Sequence, residues 1–420
     1  MTHSDSPTDV FAPRSAITRT LVERGYVNQM TDLEGVDRAF ATGIVPVYAG
    51  FDATADSLHV GHLLPIMALR RLQQAGHKPI GLIGGGTTRI GDPSFRSAAR
   101  PMLSEDEIAA NVAGIRKVFE RLLTFGDGPT DAVMVNNADW LDRMAWIDML
   151  RDVGKHFSVN RMLSFDSVRT RLEQQENLSF LEFNYMILQA VDYLELFRRT
   201  GCRLQLGGGD QWGNIVGGVD LVRRIEAAEV FGMTTPLLTT ASGVKMGKTA
   251  AGAVWVNADH LSPYDYWQFW RNAEDADVVR FLKLFTELPL DEIERLGRAE
   301  GAALNTVKEQ LANEATALAH GSHAAERAQQ TARQAFGQGE AAAGLPTVEL
   351  NDAERLAGVA LVDLLVRAGL ALSKSEARRA VSGRGVRIDG EVVEDADGLV
   401  TIGGQPLRLS LGKKRHVVVT

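Results

Sequence analysis

The chain has 420 residues, of which 45% are hydrophobic and 23% are charged, and its formal net charge is −8. These values are typical of a folded protein of two or three domains, and the acidic balance argues against a general nucleic-acid coat protein. The single cysteine, Cys202, excludes an intrachain disulfide framework and a cysteine-rich zinc site, and it fits a reducing cytoplasm. No run of about 18 apolar residues and no secretory signal occur, so we expect a cytoplasmic protein without a membrane span.

After a short lead at residues 1–13, which we expect to be disordered, the chain alternates between predicted strands and predicted helices. The apolar run "IVPVYAGF" (Ile44–Phe51) predicts a buried strand, and the periodic run "HVGHLLPIMALRRLQQAG" after it predicts a helix. The alternation continues in "KPIGLIGGG", "DEIAANVAGIRKVFERLL" and "AVMVNN". This order is typical of a parallel sheet with crossover helices, so we predict a Rossmann-like α/β domain over residues 14–258.

The C-terminal part of the chain changes character twice. Residues 259–340 lose all strand signals and are rich in Ala, Glu, Arg and Leu, which predicts an all-helical domain. A linker is expected at residues 341–350, and residues 351–420 open with two helical stretches before short glycine-punctuated strands, as in a small α+β domain. From Leu350 onward there are 11 basic and 9 acidic side chains, against 34 and 44 before it, which indicates an anionic partner at this end.

Two histidines, His59 and His62, stand at the start of the first predicted helix with Gly61 between them. A catalytic zinc site needs three protein ligands, and the HExxH spacing is absent, so metal binding is the weaker interpretation. Helix capping by Asp56 or Ser57 is plausible but explains neither the histidines nor the glycine. A helix N-terminus at the carboxyl end of a parallel strand is suited to phosphate binding, which is the interpretation we favour.

A second candidate phosphate-binding stretch, "SGVKMGKTA", contains Lys245, Lys248 and Thr249. Alone it would be a solvated basic turn, and it does not match the P-loop pattern GxxxxGK[ST]. Together, however, "HVGH" and "KMGKT" resemble the two signature motifs of class I aminoacyl-tRNA synthetases. The stretches "YAGFDATADSLHVGH", "GDPS", "YMILQAVD" and "GGGDQWGNI" are similar to those of the bacterial tyrosyl-tRNA synthetases, and the resemblance extends over nearly the whole chain.

The resemblance implies a pocket for the amino acid tyrosine. Tyr48 and Asp192 would hold its hydroxyl, and the chemistry agrees, because a phenol needs a donor and an acceptor inside an apolar slot. The other implied contacts are those to the ammonium, from Asp92, Tyr185 and Gln189, and further polar contacts from Gln205 and Gln211. Taken singly, Tyr185 could be a core aromatic residue, and Asp192 could pair with Arg198 or Arg199.

The resemblance also implies a two-step reaction that uses ATP. The tyrosine carboxylate attacks the α-phosphate, pyrophosphate leaves, and the tyrosyl group then passes to the terminal adenosine of a tRNA. Mg²⁺ is expected to accompany ATP, without zinc or a prosthetic group. The residues implied for the nucleotide are Gly50, Asp52, Gly61, Gly208 and Asp210. Those implied for the reacting phosphates are Thr54, His59, Lys245, Lys248 and Thr249, with His62 nearer the ribose.

The C-terminal stretch "LVDLLVRAGLALSKSEARRAVSGRGVRIDGEVV" resembles a small RNA-binding fold named after a ribosomal small-subunit protein. Basic residues beside a hairpin suit the backbone of structured RNA, and "GKKRH" near the C-terminus adds charge. The cations expected to follow tRNA phosphates are Lys374, Arg378, Arg379, Arg384 and Arg387. The expected partner is the tRNA for tyrosine, and the family resemblance implies a homodimer.

Three other functions fit parts of the sequence. The tryptophan enzyme shares the fold, but the long "FDATADSLH" approach and the RNA-binding module favour the tyrosine enzyme. A non-catalytic RNA-binding relative would not need the two phosphate motifs, and a nucleotidyltransferase acting on a small cofactor would not need the RNA-binding module. The chain also departs from the family pattern at Ala53, where proline is usual, and at Phe95 and Arg96, where Gly-Lys is frequent.

Overall fold

The computed structural model describes residues 12–92, 103–243, 245–249, 252–337, 345–402, 406–412 and 415–420. Residues 1–11 of the expected lead, residues 341–344 of the expected linker, and Phe95 and Arg96 therefore lie outside the described residues. The chain divides into two compact units, one made of Met1–Met246 with Val279–Arg298 and the other of Gly247–Val278 with Ala299–Thr420.

A six-stranded sheet forms the centre of the first unit. Its strands are β1 (Gln29–Met30), β2 (Pro46–Phe51), β3 (Lys78–Ile83), β4 (Val133–Asn136), β5 (Leu204–Gly208) and β6 (Phe231–Thr235). The spatial order is β1-β6-β5-β2-β3-β4, and every pair is parallel except β1 with β6. The predicted α/β fold with a parallel sheet is confirmed. The strand order reverses between β2 and β5, and in open parallel sheets that position forms the ligand crevice.

Helices connect these strands. They are α1 (Ala16–Glu23), α2 (Leu33–Thr42), α3 (Val60–Gln74), α4 (Glu105–Leu122), α5 (Ala138–Leu141), α6 (Trp146–Asp148), α7 (Val159–Leu163), α8 (Asp166–Glu173), α9 (Phe180–Thr200) and α10 (Trp212–Glu226). Helix α9 begins at a reciprocal capping box between Ser179 and Glu182, and it ends at Gly201, whose φ of 67° is left-handed. Cys202 follows and is completely buried immediately before β5.

The second unit begins with a short antiparallel pair, β7 (Lys248–Thr249) and β8 (Gly252–Ala253), and continues with helices. The helices that follow in the chain are α11 (Pro263–Arg271), α12 (Val278–Phe285), α13 (Leu290–Leu296), α14 (Ala302–His320) and α15 (Ser322–Gly337). Helix α13, and all of α12 except its first residue, belong to the first unit, whereas the other three belong to the second. The buried rings of Trp267 and Trp270 lie on α11, and Trp267 donates to Asn313 on α14 at 2.7 Å. The expected helical stretch is confirmed.

A small α+β module completes the second unit. Its helices are α16 (Asp352–Ala357), α17 (Leu361–Arg367) and α18 (Lys374–Ser382). Its strands are β9 (Thr347–Val348), β10 (Val359–Ala360), β11 (Val386–Ile388), β12 (Glu391–Val392), β13 (Leu399–Val400), β14 (Leu407–Leu411) and β15 (Arg415–Val419). The sequence predicted two helices before the strands of this module, but the structure has three, because Gly358, at a φ of 79°, ends α16 before α17 begins. Among the described residues, none of the helices is both long and apolar enough to span a membrane.

Candidate active site

Among the described residues, two buried polar groups at the crevice between β2 and β5 lack a protein partner. Tyr48 on β2 and Gln205 on β5 are paired in register, and their side chains are 1% and 2% exposed. Within the described part of the chain, neither the Tyr48 hydroxyl nor Gln205 Oε1 has a hydrogen-bond partner. Leaving such a group unsatisfied costs about 1–3 kcal/mol, so this pair is suited to a ligand that carries polar groups of its own.

Asp192, on α9, is held beside Tyr48 by two side chains that the sequence analysis did not identify. Asn137 Nδ2 donates to Asp192 Oδ2 at 2.9 Å, and Trp140 Nε1 donates to Asp192 Oδ1 at 2.8 Å. Burial nevertheless raises the pKa of Asp192 to about 7. Burial and the neighbouring Asp192 charge also raise the pKa of Tyr48 well above its usual range.

The alternative that Asp192 pairs with an arginine of its own helix is not supported. Arg199 binds Glu195, and Arg198 binds both Glu195 and Glu226. Asp192 instead points towards the sheet, where its hydrogen-bond donors follow β4. The position of these donors at the carboxyl end of a predicted strand was the signal in the sequence that could have identified them.

A second carboxylate, Asp52, is connected to the first through a chain of hydrogen bonds. The Tyr185 hydroxyl donates to Asp52 at 3.2 Å, and Thr87 Oγ1 donates to Asp52 Oδ1 at 3.0 Å. Asn137 Nδ2 donates to Thr87 Oγ1 at 3.0 Å as well as to Asp192. Tyr185 is therefore not a simple core aromatic residue, and burial with the Asp52 charge raises its pKa well above the usual range.

The mouth of the crevice is lined by amide side chains. Gln211 Nε2 donates to Asp92 Oδ2 at 2.8 Å. Asn214 Nδ2 donates to Gln189 Oε1 at 3.0 Å and to Gln211 Oε1 at 3.2 Å, so these side chains share one network. Asp210 stands nearby, since burial and the Asp92 charge both raise its pKa.

Two glycines at the mouth of the crevice let the backbone lie close to carboxylate oxygens. A Cβ at Gly84 would lie 2.4 Å from Asp52 Oδ1, and one at Gly208 would lie 2.5 Å from Asp210 Oδ1. Gly50 is the exposed position of β2, and Thr54 is exposed in the loop that follows this strand. The structure thus places both residues at the end of β2.

The two histidines form the cap of α3 themselves. Gly61 N donates to His59 Nδ1 at 3.1 Å, His59 N donates to His62 Nδ1 at 3.3 Å, and the rings stack with centroids 3.8 Å apart. The suggestion that Asp56 or Ser57 caps this helix is wrong, because His59 occupies the N-cap position. Since each Nδ1 accepts a hydrogen bond, the neutral rings carry their proton on Nε2 and can donate there to an anion.

In the regions that the structure describes, no three His, Cys, Asp or Glu side chains are grouped so that they could hold an ion. Phosphate binding at the start of α3 stays a prediction.

The lysine segment starts as a hairpin, which we call the lysine hairpin (Leu238–Met246). Met246 N donates to Leu238 O at 2.9 Å, and Thr239 pairs with Lys245 as an antiparallel bridge. The return arm passes close to α3, because a Cβ at Gly61 would lie 3.4 Å from Met246 O. Burial and the Asp92 charge raise the pKa of Asp210, and the charge of Lys245 opposes this rise, which places that cation near Asp210.

The other two members of the predicted phosphate clamp belong to the second unit. The backbones of Lys248 and Thr249 form β7. Their side chains lie outside what the structure describes, so their predicted role is not tested.

All five predicted RNA-binding cations of the C-terminal module are exposed. Lys374 lies 2.6 Å from Asp363, Arg378 lies 3.4 Å from Asp397, and Arg384 contacts Glu394. Arg387 donates to Gly390 O at 3.1 Å. Surface ion pairs of this kind contribute little energy, so they leave the side chains available to phosphates.

Comparison with known proteins supplies the family. Residues 41–337 match the family model of tRNA synthetases class I (W and Y), and residues 361–405 match that of the S4 domain. The tyrosine–tRNA ligase of Cereibacter sphaeroides is 57% identical over 411 residues, which cover 97% of this chain and 99% of that protein. The chain belongs to the tyrosine–tRNA ligase family.

Two further comparisons agree with this membership. The tyrosine–tRNA ligase of Zymomonas mobilis is 59% identical over 406 residues, which cover 97% of this chain and 98% of that protein. The crystal structure of a C-terminally truncated mitochondrial tyrosyl-tRNA synthetase of Aspergillus nidulans is similar at a TM-score of 0.70 and 32% identity, over 77% of this chain and 95% of that one. The family predicted from the two signature motifs and the stretches around them is confirmed.

Proposed function

We propose that this protein attaches L-tyrosine to tRNA, and the observation that carries the proposal is the buried pair Tyr48 and Asp192. The Tyr48 hydroxyl has no protein partner among the described residues, and Asp192 lies near enough to raise the pKa of Tyr48. A tyrosine hydroxyl between them would donate to the carboxylate and accept from the phenol. Phenylalanine would leave the buried Tyr48 hydroxyl without a partner and would donate nothing to Asp192, which is the basis of selectivity.

The remaining polar groups of the crevice fit the ammonium and carboxylate of the same amino acid. Asp92, Tyr185 and Gln189 would receive the ammonium, and Gln205 and Gln211 would supply further polar contacts. Support comes from the network that joins Asp92, Gln189 and Gln211, and from Gln205 Oε1, which has no partner among the described residues. Each of these groups accepts or donates as such a ligand requires.

The first reaction step needs no nucleophilic side chain. The tyrosine carboxylate attacks the α-phosphate of ATP, the bond to the β-phosphate breaks, and pyrophosphate leaves, so catalysis consists of positioning and charge stabilisation. Gly50, Asp52, Gly61, Gly208 and Asp210 would receive the nucleotide. Thr54, His59, His62, Lys245, Lys248 and Thr249 would contact the phosphates or the adjoining ribose. The capped start of α3, with Nε2 donors and the positive end of the helix dipole, supports the phosphate site.

Mg²⁺ would enter with ATP, held by the phosphates and water. The described residues offer no carboxylate cluster for a dedicated site, and Mg²⁺ commonly keeps most of its water in such complexes.

The second step would use the C-terminal module to hold the tRNA for tyrosine. Lys374, Arg378, Arg379, Arg384 and Arg387 are its candidate phosphate contacts. Their common exposure on one small module, and the match of that module to the S4 domain, support this assignment.

We further propose a cytoplasmic homodimer. A run of exposed apolar side chains in the first unit supports the dimer, because contiguous patches of this kind usually mark an interface. Its members are Trp146, Ile147, Leu150, Val159, Leu163, Phe180 and Leu181. Trp146 and Phe180 touch edge to face with centroids 6.2 Å apart, so α6 and the start of α9 contribute to the same exposed surface.

The test is isotope exchange between pyrophosphate and ATP on purified protein without tRNA, with tyrosine, tryptophan and phenylalanine in parallel. Exchange with tyrosine alone is expected, and Tyr48→Phe should lower kcat/KM for tyrosine about tenfold, since one hydrogen bond is lost. Exchange with tryptophan instead would overturn the pocket assignment. No exchange with any of them would favour a non-catalytic RNA-binding protein.

A further inference from the structure

The lysine hairpin accepts a hydrogen bond from a residue that lies outside all of the sequence motifs. Arg280, on α12, donates from Nη2 to the carbonyl oxygen of Thr239. Thr239 is the outgoing-arm residue that pairs with Lys245. A guanidinium that binds this carbonyl therefore acts on the backbone directly opposite the lysine.

Helix α12 is itself fixed at its far end. Arg71, near the end of α3, and Arg24, immediately after α1, both donate to the carbonyl oxygen of Thr286. Arg24 also donates to Lys283 O at 2.9 Å, and the Tyr26 hydroxyl donates to Leu284 O at 2.6 Å. These donors satisfy carbonyls that the last turn of a helix leaves without a partner.

Helix α3, helix α12 and the lysine hairpin are each in contact with the other two. Helix α3 contacts the lysine hairpin where it begins, at Gly61, and it holds α12 where it ends, at Arg71. Helix α12 in turn holds the outgoing arm of the hairpin through Arg280. Both arms of the hairpin are thus held, the return arm by α3 and the outgoing arm by α12, and these contacts fix the position of Lys245 relative to the start of α3.

We propose that Arg280 is a positioning residue, which holds the lysine hairpin at Thr239 so that Lys245 stays beside the start of α3 while ATP reacts. The inference rests on the proposed function, because it assigns Arg280 to the ATP-dependent step. Charge-assisted hydrogen bonds to a backbone carbonyl are stronger than neutral ones and are geometrically specific, as a grip on a two-armed segment requires. A lysine at this position keeps the charge but not the planar fork of donors.

The experiment compares Arg280→Met with Lys283→Met. Lys283 is a matched control, since it lies on the same helix and its side chain has no hydrogen bond or ion pair among the described residues. In tyrosine-dependent pyrophosphate exchange, Arg280→Met should lower kcat about tenfold while the dissociation constant for tyrosine stays within about twofold. Lys283→Met should match the unsubstituted protein, and Arg280→Lys should recover part of the loss.

A double substitution separates positioning from a merely structural role. If Arg280 acts through the hairpin, Arg280→Met should add nothing to the loss caused by Lys245→Ala, because both remove one function. Losses that multiply would overturn the proposal. So would an Arg280→Met variant with full exchange activity, or one whose defect is confined to tyrosine binding.

A measurement without substrate keeps this inference distinct from the proposed function. Amide hydrogen exchange across the lysine hairpin should be faster in Arg280→Met than in Lys283→Met, because the grip is lost. If the unsubstituted protein shows no tyrosine-dependent activity, the proposed function fails and this measurement alone decides whether Arg280 holds the hairpin. Equal amide exchange rates in the two variants would overturn the claim that Arg280 holds the lysine hairpin.

Discussion

The ionisation of Asp192 couples tyrosine binding to pH. Its pKa is raised to about 7, so the empty site takes up a proton as the pH falls through that value. A carboxylate that must accept from a phenol binds its ligand best without that proton, so ligand binding and proton binding compete. Affinity for tyrosine should therefore increase with pH and level off above the pKa.

Equilibrium dialysis at a series of pH values measures this dependence. The dissociation constant for tyrosine should fall roughly tenfold between about pH 6 and about pH 8, as expected for release of one proton. Asp192→Asn removes the titrating group at nearly constant volume and should bind weakly at every pH. A pH-independent dissociation constant in the unsubstituted protein would contradict the raised pKa.

At single residues, sequence motifs identify the groups that could touch a ligand better than the groups that orient them. Tyr48 and Asp192 stand in recognisable stretches, and the structure brings them together. Asn137 and Trp140 are separated from Asp192 by 55 and 52 positions, and nothing local in "VNNADWL" indicates that both donate to one carboxylate. Such contacts arise only when β4 and α9 are placed side by side.

Among the elements, the start of α3 offers a sharp test, because Gly61 is enclosed on two sides. A Cβ there would lie 2.8 Å from His59 Cε1 and 3.4 Å from Met246 O. Gly61→Ala should displace the His59 ring from its cap and lower the exchange rate at least tenfold, if His59 contacts phosphate. The preference for alanine over glycine in a helix, roughly 0.5–1 kcal/mol, should offset part of the lost cap, so stability should change little.

The control for this substitution is Gly217→Ala on α10. A Cβ there would meet Phe157 at an ordinary 3.8 Å, so the same change of residue type causes no clash. Thermal unfolding should show Gly217→Ala at least as stable as the unsubstituted protein and Gly61→Ala close to it, because the gain from alanine offsets part of the lost cap. Full exchange activity in Gly61→Ala would show that the close packing of His59 against Gly61 is not needed for the reaction.

The elements themselves were predictable where they are long and periodic. Strands β2, β3 and β4 and helices α3, α4 and α9 occur where the pattern indicates, with ends shifted by a few residues. The two-residue strand β1 was not predicted, because so short a strand has no periodicity and forms only by pairing with β6. Helix α16 was missed as a separate element because only Gly358 and the two-residue strand β10 separate its six residues from α17.

For the molecule as a whole, the exposed apolar surface around α6 and the start of α9 predicts self-association. Ile147 and Phe180 are 69% and 68% exposed, which is unfavourable in water unless a second copy covers them. Ile147→Glu combined with Phe180→Glu should convert the proposed dimer to a monomer in sedimentation velocity, since a charge buried in an interface without a partner is costly. Ile44→Glu, at a 49% exposed isoleucine elsewhere, should stay dimeric. A monomeric unsubstituted protein would contradict the assignment.

The division of labour between catalytic domain and RNA-binding module predicts that one substitution can separate the two reaction steps. Arg379→Glu reverses an exposed charge on α18, so it should raise the KM for tRNA in aminoacylation several-fold, more at low salt than at high salt. Pyrophosphate exchange, which needs no tRNA, should be unchanged. Arg379→Lys keeps the charge and should behave like the unsubstituted protein in both assays. An equal loss in both assays would place Arg379 outside RNA recognition.

The burial of Cys202 has a practical consequence for spectroscopy. It is the only cysteine in the chain, its side chain is completely inaccessible, and burial raises the pKa of its thiol to about 12. A thiol in that state reacts very slowly at neutral pH. A cysteine introduced at Ser242, on the exposed turn of the lysine hairpin, would thus accept a maleimide dye alone, and its fluorescence would report in real time whether the turn moves when ATP arrives.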